Sequence, residues 1–145
     1  MLCASAGVER SFFHEYVRPT EGVVPGETRQ LSAFCKQLTG ITQEQVNAAL
    51  PLPDVLRRFE AWIVECGLAE ALDAGRAMLV AHGGWDLGDQ LPIESARKNI
   101  VLPRWLGSGC YTDLKVVFAL SVPGAPTSLR GMLQAVEDLL RRDAR

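Results

Sequence analysis

Long apolar runs are missing from this chain: nowhere do about 18 consecutive apolar residues occur, the length a membrane-spanning helix requires. The opening residues 1–7 carry no basic segment ahead of their short apolar stretch, so no secretory signal is expected. None of the four cysteines, Cys3, Cys35, Cys66 and Cys110, stands in CxxC spacing to another, which removes the commonest structural-zinc pattern. Free thiols in a reducing compartment are therefore expected, with cytoplasm and nucleus on equal footing. Charge of one sign is also lacking, since 15 Lys and Arg face 17 Asp and Glu for a net charge of −2. No basic surface draws this chain to nucleic acid or to an anionic membrane, so any nucleic-acid role has to come from a local site or from bound cations. Repeats and low-complexity tracts are absent as well.

What is present is ordinary globular material: 145 residues, 48% hydrophobic and 22% charged, enough for one domain with a core. Val8 to Arg18 contains Phe12, Phe13, Tyr16 and Val17 and stops at Pro19, which reads as one β-strand. After a turn-rich loop, a short helix is expected from Ser32 to Gly40 with Phe34, Cys35 and Leu38 turned inward. Thr42 with Gln45 forms a capping box that opens a second short helix over Gln43 to Leu50. After Pro51 and Pro53, Val55, Leu56, Phe59, Trp62, Ile63 and Cys66 share one face at helical spacing, and Gly67 suits the position past the helix end.

Further along, Ala77 to Ala81 has the length of a buried strand ending in His82-Gly83-Gly84. Trp85-Asp86-Leu87 leads into a helix running toward Leu91, and Pro92 and Pro103 are expected to break up the next stretch. Asp113 is placed to cap a helix over Leu114 to Leu120. Thr127 or Ser128 is placed to cap a last helix whose apolar stripe is Leu129, Met132, Leu133, Val136, Leu139 and Leu140. Strands alternating with helices point to an α/β or α+β domain.

Four stretches stand together in order: Phe13-His14-Glu15-Tyr16-Val17-Arg18-Pro19, Leu31-Ser32-Ala33-Phe34-Cys35, Leu38-Thr39-Gly40-Ile41-Thr42-Gln43-Glu44-Gln45-Val46, and Gly84-Trp85-Asp86-Leu87. In that order and spacing they resemble the histone-mRNA 3′-exonuclease and small-interfering-RNA-degrading exonucleases, of the DEDDh branch of the ribonuclease H-like superfamily. Tyr111-Thr112-Asp113-Leu114-Lys115 resembles a further family stretch, structural rather than catalytic. The resemblance implies an α/β fold, a ribonuclease H-like mixed sheet flanked by helices and incomplete relative to the family. It implies a single partial exonuclease domain over 1–145, with 1–10 and 141–145 poorly ordered.

By the same resemblance, the complete family hydrolyses 3′-terminal nucleotides from single-stranded RNA with two Mg²⁺ ions. Two cations activate the water and steady both the attacking and the leaving oxygen, and Mg²⁺ takes hard carboxylate ligands. Asp86 falls at a metal-ligand position, Trp85 at a stacking platform for the terminal base, and Leu38, Thr39, Gly40 and Ile41 beside the terminal nucleotide. The family's first acidic pair has no counterpart before Ser11, where only Glu9 stands, and its closing His…Asp motif is not found before Arg145. His14 and His82 fall at neither catalytic position, so no catalytic residue is assigned.

The chain by itself is thus expected to be weak or inactive, with no membrane partner and with self-association through an uncovered sheet edge. Two other functions stay open: a non-catalytic RNA- or nucleotide-binding relative, and a structural interaction module. Each site residue also has a plainer role available, Asp86 as a helix cap, Trp85 as packing and His82 as a hydrogen-bonded strand end.

Overall fold

The computed structural model describes residues 2–5, 8–20, 29–107, 109–121, 124, 128, 130–132 and 134. They fall into two compact units divided after Glu70, and each is described by itself.

In the first unit, β1 (Leu2–Ser5) and β2 (Val8–Phe12) form an antiparallel hairpin with a bulge between Cys3 and Ala4. β3 (Val17–Arg18) pairs in parallel with β4 (Leu50–Pro51). The single strand expected from Val8 to Arg18 is therefore broken at 13–16. Strand pairing needs inward residues two apart, and here Phe13 and Tyr16, three apart, are the half-buried ones. Phe13 packs on Phe59 and Trp62 at ring-centroid distances of 5.4 and 5.7 Å, and the Tyr16 hydroxyl accepts from Gln45 Nε2 at 3.1 Å.

Between β3 and β4 lie α1 (Ala33–Thr39) and α2 (Gln43–Ala48). Both are held at their ends. Ser32 Oγ accepts from the Cys35 N–H, Gly40 closes α1 with φ 70°, and the Thr42–Gln45 capping box is complete in both directions. The inward packing expected of Phe34 and Leu38 is not what α1 does: they are 73% and 71% exposed, and only Cys35 is half-buried. Two turns of helix fixed by their caps can stand on a surface without a covered face. α3 (Leu52–Glu65) is the opposite case, with Val55, Leu56, Phe59, Trp62 and Ile63 all buried. Trp62 also donates from Nε1 to Ser11 Oγ at 2.6 Å, and Gly67 follows with φ 70°. Arg57 and Arg58 lie on its outer face, paired with Asp54 and Glu15. α4 (Ala69–Asp73) contains the division between the units.

In the second unit, β5 (Leu79–Ala81) and β6 (Tyr111–Asp113) run parallel, with Leu79 opposite Tyr111 and Ala81 opposite Asp113. β5 is covered on one side only, since Leu79 is buried while Val80 is 60% exposed. The apolar run therefore makes an ordinary alternating strand rather than a strand buried on both faces. α5 (Leu91–Arg97) follows without a break on a helical turn at 86–90 and takes Pro92 as its second residue, so the helix runs on past this proline instead of stopping at it. A 3₁₀ turn at Arg104–Leu106 buries Trp105 and Leu106, and α6 (Leu114–Ser121) follows β6 directly. Ser128 Oγ accepts from the Gly131 N–H and Met132 is buried, in keeping with a cap at Ser128. The remaining stripe residues Leu129, Leu133, Val136, Leu139 and Leu140, and 141–145, lie outside the described residues. Among the described residues the strands form three pairs, one antiparallel and two parallel.

Candidate nucleotide site

β5 ends at Ala81, and the chain turns through His82, Gly83 and Gly84 into Trp85 and Asp86. Gly83 has φ 99°, a left-handed backbone open to glycine without strain. The Gly83 N–H donates to Asp113 Oδ1 at 3.0 Å, an oxygen that also accepts from the Lys115 N–H at 2.9 Å. The Gly84 carbonyl accepts from the Tyr111 hydroxyl at 3.1 Å and from the Gly88 N–H at 2.7 Å. The turn is tied to β6 by side chains at both of its glycines.

From Asp86 to Gln90 the backbone is π-helical, and the Leu91 N–H reaches back five residues to the Asp86 carbonyl. Pro92 explains the wider turn. It has no N–H to offer the Gly88 carbonyl and would crowd that carbonyl in a tight α-turn. Such π-turns recur at functional sites.

Trp85 is 64% exposed on this pinned backbone, so plain packing does not account for it. Asp86 is exposed too, and neither it nor Trp85 caps the turn with its side chain, which leaves the helix-cap role unsupported. His82 differs from the hydrogen-bonded strand end expected of it: its Nε2 is buried with no partner. Sequence reasoning treats Tyr111, Asp113 and Lys115 as structural, yet these side chains frame the turn. The Lys115 ammonium lies 3.5 Å from where a Cβ on Gly83 would sit. The strand pairing, which brings the segment after β5 against β6, is the missing signal.

Leu38, Thr39, Gly40 and Ile41 lie in the first unit, at the end of α1. The Thr39 hydroxyl donates to the Cys35 carbonyl at 2.8 Å and accepts from the Ile41 N–H at 3.1 Å, so this bend is as well fixed as the turn at Trp85. Leu38, Thr39 and Gly40 are exposed and Ile41 is half-buried.

A model of the RNase_T exonuclease family matches residues 2–87, more than half of the chain and including Trp85 and Asp86. The chain belongs to this exonuclease family. Within it, the chain is 38% identical over 144 residues to ERI1 exoribonuclease 2 of Danio rerio, covering 92% of this chain and 24% of the relative. It is 34% identical to ERI1 exoribonuclease 2 of Homo sapiens, covering 94% and 20%, and 35% identical to human 3′-5′ exoribonuclease 1, covering 84% and 32%. The chain thus spans between a fifth and a third of the length of these curated relatives.

Two solved structures superpose on 90% of it at 25% identity. One shows 3′-end specific recognition of histone mRNA stem-loop by a 3′-exonuclease, with TM-score 0.64 over 54% of that chain. The other is a full-length 3′-exonuclease, with TM-score 0.65 over 40%. The resemblance to the histone-mRNA 3′-exonuclease group is borne out, and with it the α/β, ribonuclease H-like character of the fold.

Exonucleases of this family use divalent metal ions. Among the described residues no group of three or more His, Cys, Asp and Glu side chains converges to hold one. Asp86 lies on the exposed turn, with Asp89 three residues further along it. These donors do not fit a two-cation centre, which requires several carboxylate oxygens per ion. No helix among the described residues is long and apolar enough to cross a membrane.

Proposed function

We propose that this chain carries the nucleotide-contacting part of a 3′→5′ exoribonuclease site and binds the 3′ end of single-stranded RNA without hydrolysing it on its own. The observation that carries the reading is Trp85, a large aromatic side chain held 64% exposed on a turn pinned at Gly83 and Gly84. An exposed indole on a rigid backbone is a ready stacking surface, and every base has a π-face to stack on it. Leu38, Thr39, Gly40 and Ile41 are the proposed nucleotide contacts of the first unit, which agrees with the exposure of the first three. Lys115 supplies a positive charge beside the turn for a backbone phosphate.

Asp86 is the proposed ligand to a divalent cation, Mg²⁺, in the complete enzyme. Alone it is too few donors to anchor a pair of ions, hence binding without turnover. The test incubates end-labelled single-stranded RNA with the purified chain in Mg²⁺, in Mn²⁺ and in EDTA. The expected result is retention of the RNA with no shortening in any lane. Metal-dependent removal of 3′-terminal nucleotides that disappears in Asp86→Asn would overturn the proposal and point to Glu9, Asp89 or another carboxylate completing the centre.

Self-association through an uncovered sheet edge is the second part of the reading, and the exposed Val116, Val117 and Leu120 of α6 add apolar surface that would support it. Sedimentation over a range of concentrations checks it, and a monomer throughout would remove it.

A further inference from the structure

We propose that Tyr111 and Asp113 are positioning residues for Trp85 and Asp86, acting through the backbone of the turn rather than by touching nucleotide. The inference rests on the reading of Trp85 as the stacking surface. β6 opens with Tyr111 and closes with Asp113, and its parallel pairing with β5 sets both beside the chain that leaves β5. In parallel sheets, ligands gather outside the carboxyl ends of the strands, where His82 to Asp86 lie. Asp113 fixes the amide of Gly83 and Tyr111 fixes the carbonyl of Gly84, so the Gly83-Gly84 pair is tied at both its ends, the second tie on the peptide group that leads into Trp85.

The glycines report how close this clamp is. A Cβ at Gly84 would lie 2.6 Å from the Tyr111 hydroxyl oxygen, and one at Gly88 would also lie 2.6 Å from it. No side chain fits at either position while that oxygen is in place. The hydroxyl thus sits between the residue before Trp85 and the second residue after Asp86. It sets the spacing of the segment that carries both functional side chains. Without it, the next nearest ring atoms stand 3.5 to 3.6 Å from these points, an ordinary contact distance.

The experiment uses the full 145-residue chain labelled with 5-fluorotryptophan and titrated with adenosine 5′-monophosphate. The resonance of Trp85 is assigned by Trp85→Phe. Tyr111→Phe is expected to shift that resonance, leave the Trp62 resonance in place, and weaken nucleotide affinity roughly fivefold to tenfold, the scale of one hydrogen bond. Asp113→Ala should act in the same direction. Asp113→Asn, whose amide oxygen still accepts from the Gly83 N–H, should restore the parent behaviour.

Gly88→Ala separates positioning from general loss of fold. It should disturb the Trp85 resonance in the parent background and do so far less when combined with Tyr111→Phe, because the obstructing oxygen is gone. The clamp is overturned if Tyr111→Phe leaves the Trp85 resonance and the affinity unchanged, or if Gly88→Ala is equally disruptive with and without the hydroxyl. If the parent chain binds no nucleotide while the resonance shifts and the Gly88 rescue appear, the clamp stands and the nucleotide-binding reading falls.

Discussion

In α3, five apolar side chains recur at helical spacing and all five are buried, whereas in the turn from Gly83 to Gln90 the largest side chain, Trp85, stands out into solvent. α3 is held by covered surface, with Phe13 packed at a tilt against Phe59 and Trp62. The turn is held by hydrogen bonds from Tyr111 and Asp113, residues 27 and 30 positions away from those they bind. The two indoles make the contrast concrete. Trp62 turns its ring into packing and its N–H onto Ser11, while Trp85 is left exposed on a backbone tied at Gly83 and Gly84. A side chain this exposed contributes little to folding, and its presentation on a tied turn is what the proposed stacking role requires.

The comparison breaks most visibly under truncation of these indoles. Trp62→Ala should lower stability by about 3–5 kcal/mol, as for other large-to-small core changes, and Trp85→Ala should stay within roughly 0.5 kcal/mol of the parent. Chemical denaturation of both variants checks this, and equal losses would mean that Trp85 is part of a core after all. Binding should show the reverse order. Trp85→Ala should cost about 1–3 kcal/mol of affinity for a nucleoside monophosphate, by the usual worth of a stacked base, while Trp62→Phe should not alter affinity in the folded protein. Calorimetric titration reads both. Asp86→Asn should leave metal-free nucleotide binding nearly unchanged, since its proposed role is toward a cation.

The two regions also differ in how far the amino-acid sequence discloses them. α3 was legible because burial writes a 3.6-residue period into the chain, and the caps at Ser32, Thr42 and Gly40 were legible because they depend on neighbours within a few residues. The outward faces of Phe34 and Leu38 were not. Periodicity tells which side chains share a face but not whether anything covers it. Pro92 is not the break expected of it for a related reason, because a proline's missing N–H can be taken up by a widened turn that local sequence does not announce. At the site, Trp85, Asp86 and the segment Leu38 to Ile41 came from a family resemblance. The clamp of Tyr111 and Asp113 had no local signature, because it exists only once β5 and β6 pair.

α1 and α2 sit between these extremes, short helices held by end contacts rather than by a covered face, and they sharpen the comparison at smaller scale. Thr42→Ala removes the side-chain half of the capping box and should cost about 1 kcal/mol, measured by thermal unfolding. α2 still buries Val46 and Gln43, so the loss should stay well short of that for Trp62→Ala.

The smallest effect concerns Glu44 in the first turn of α2. A hydrogen bond from its own backbone N–H, then one from the Thr42 hydroxyl, and finally the charge of Lys36 hold its carboxyl below the usual glutamate value. Because the folded-state value is the lower one, the ionised carboxylate contributes stability at and above the ordinary carboxylate range. That contribution fades as pH falls through the lowered value. Its place near a helix N-terminus works in the same direction, since negative charge there is favourable. Glu44→Gln should therefore melt slightly below the parent at neutral pH and match it in acid, and raising the salt concentration should narrow the neutral-pH gap. Melting curves of the two proteins across that range read the effect directly. A gap that persists unchanged into acid would show that Glu44 acts through packing or helix propensity instead of charge. The end contacts of α2 would then lack the electrostatic part argued for them.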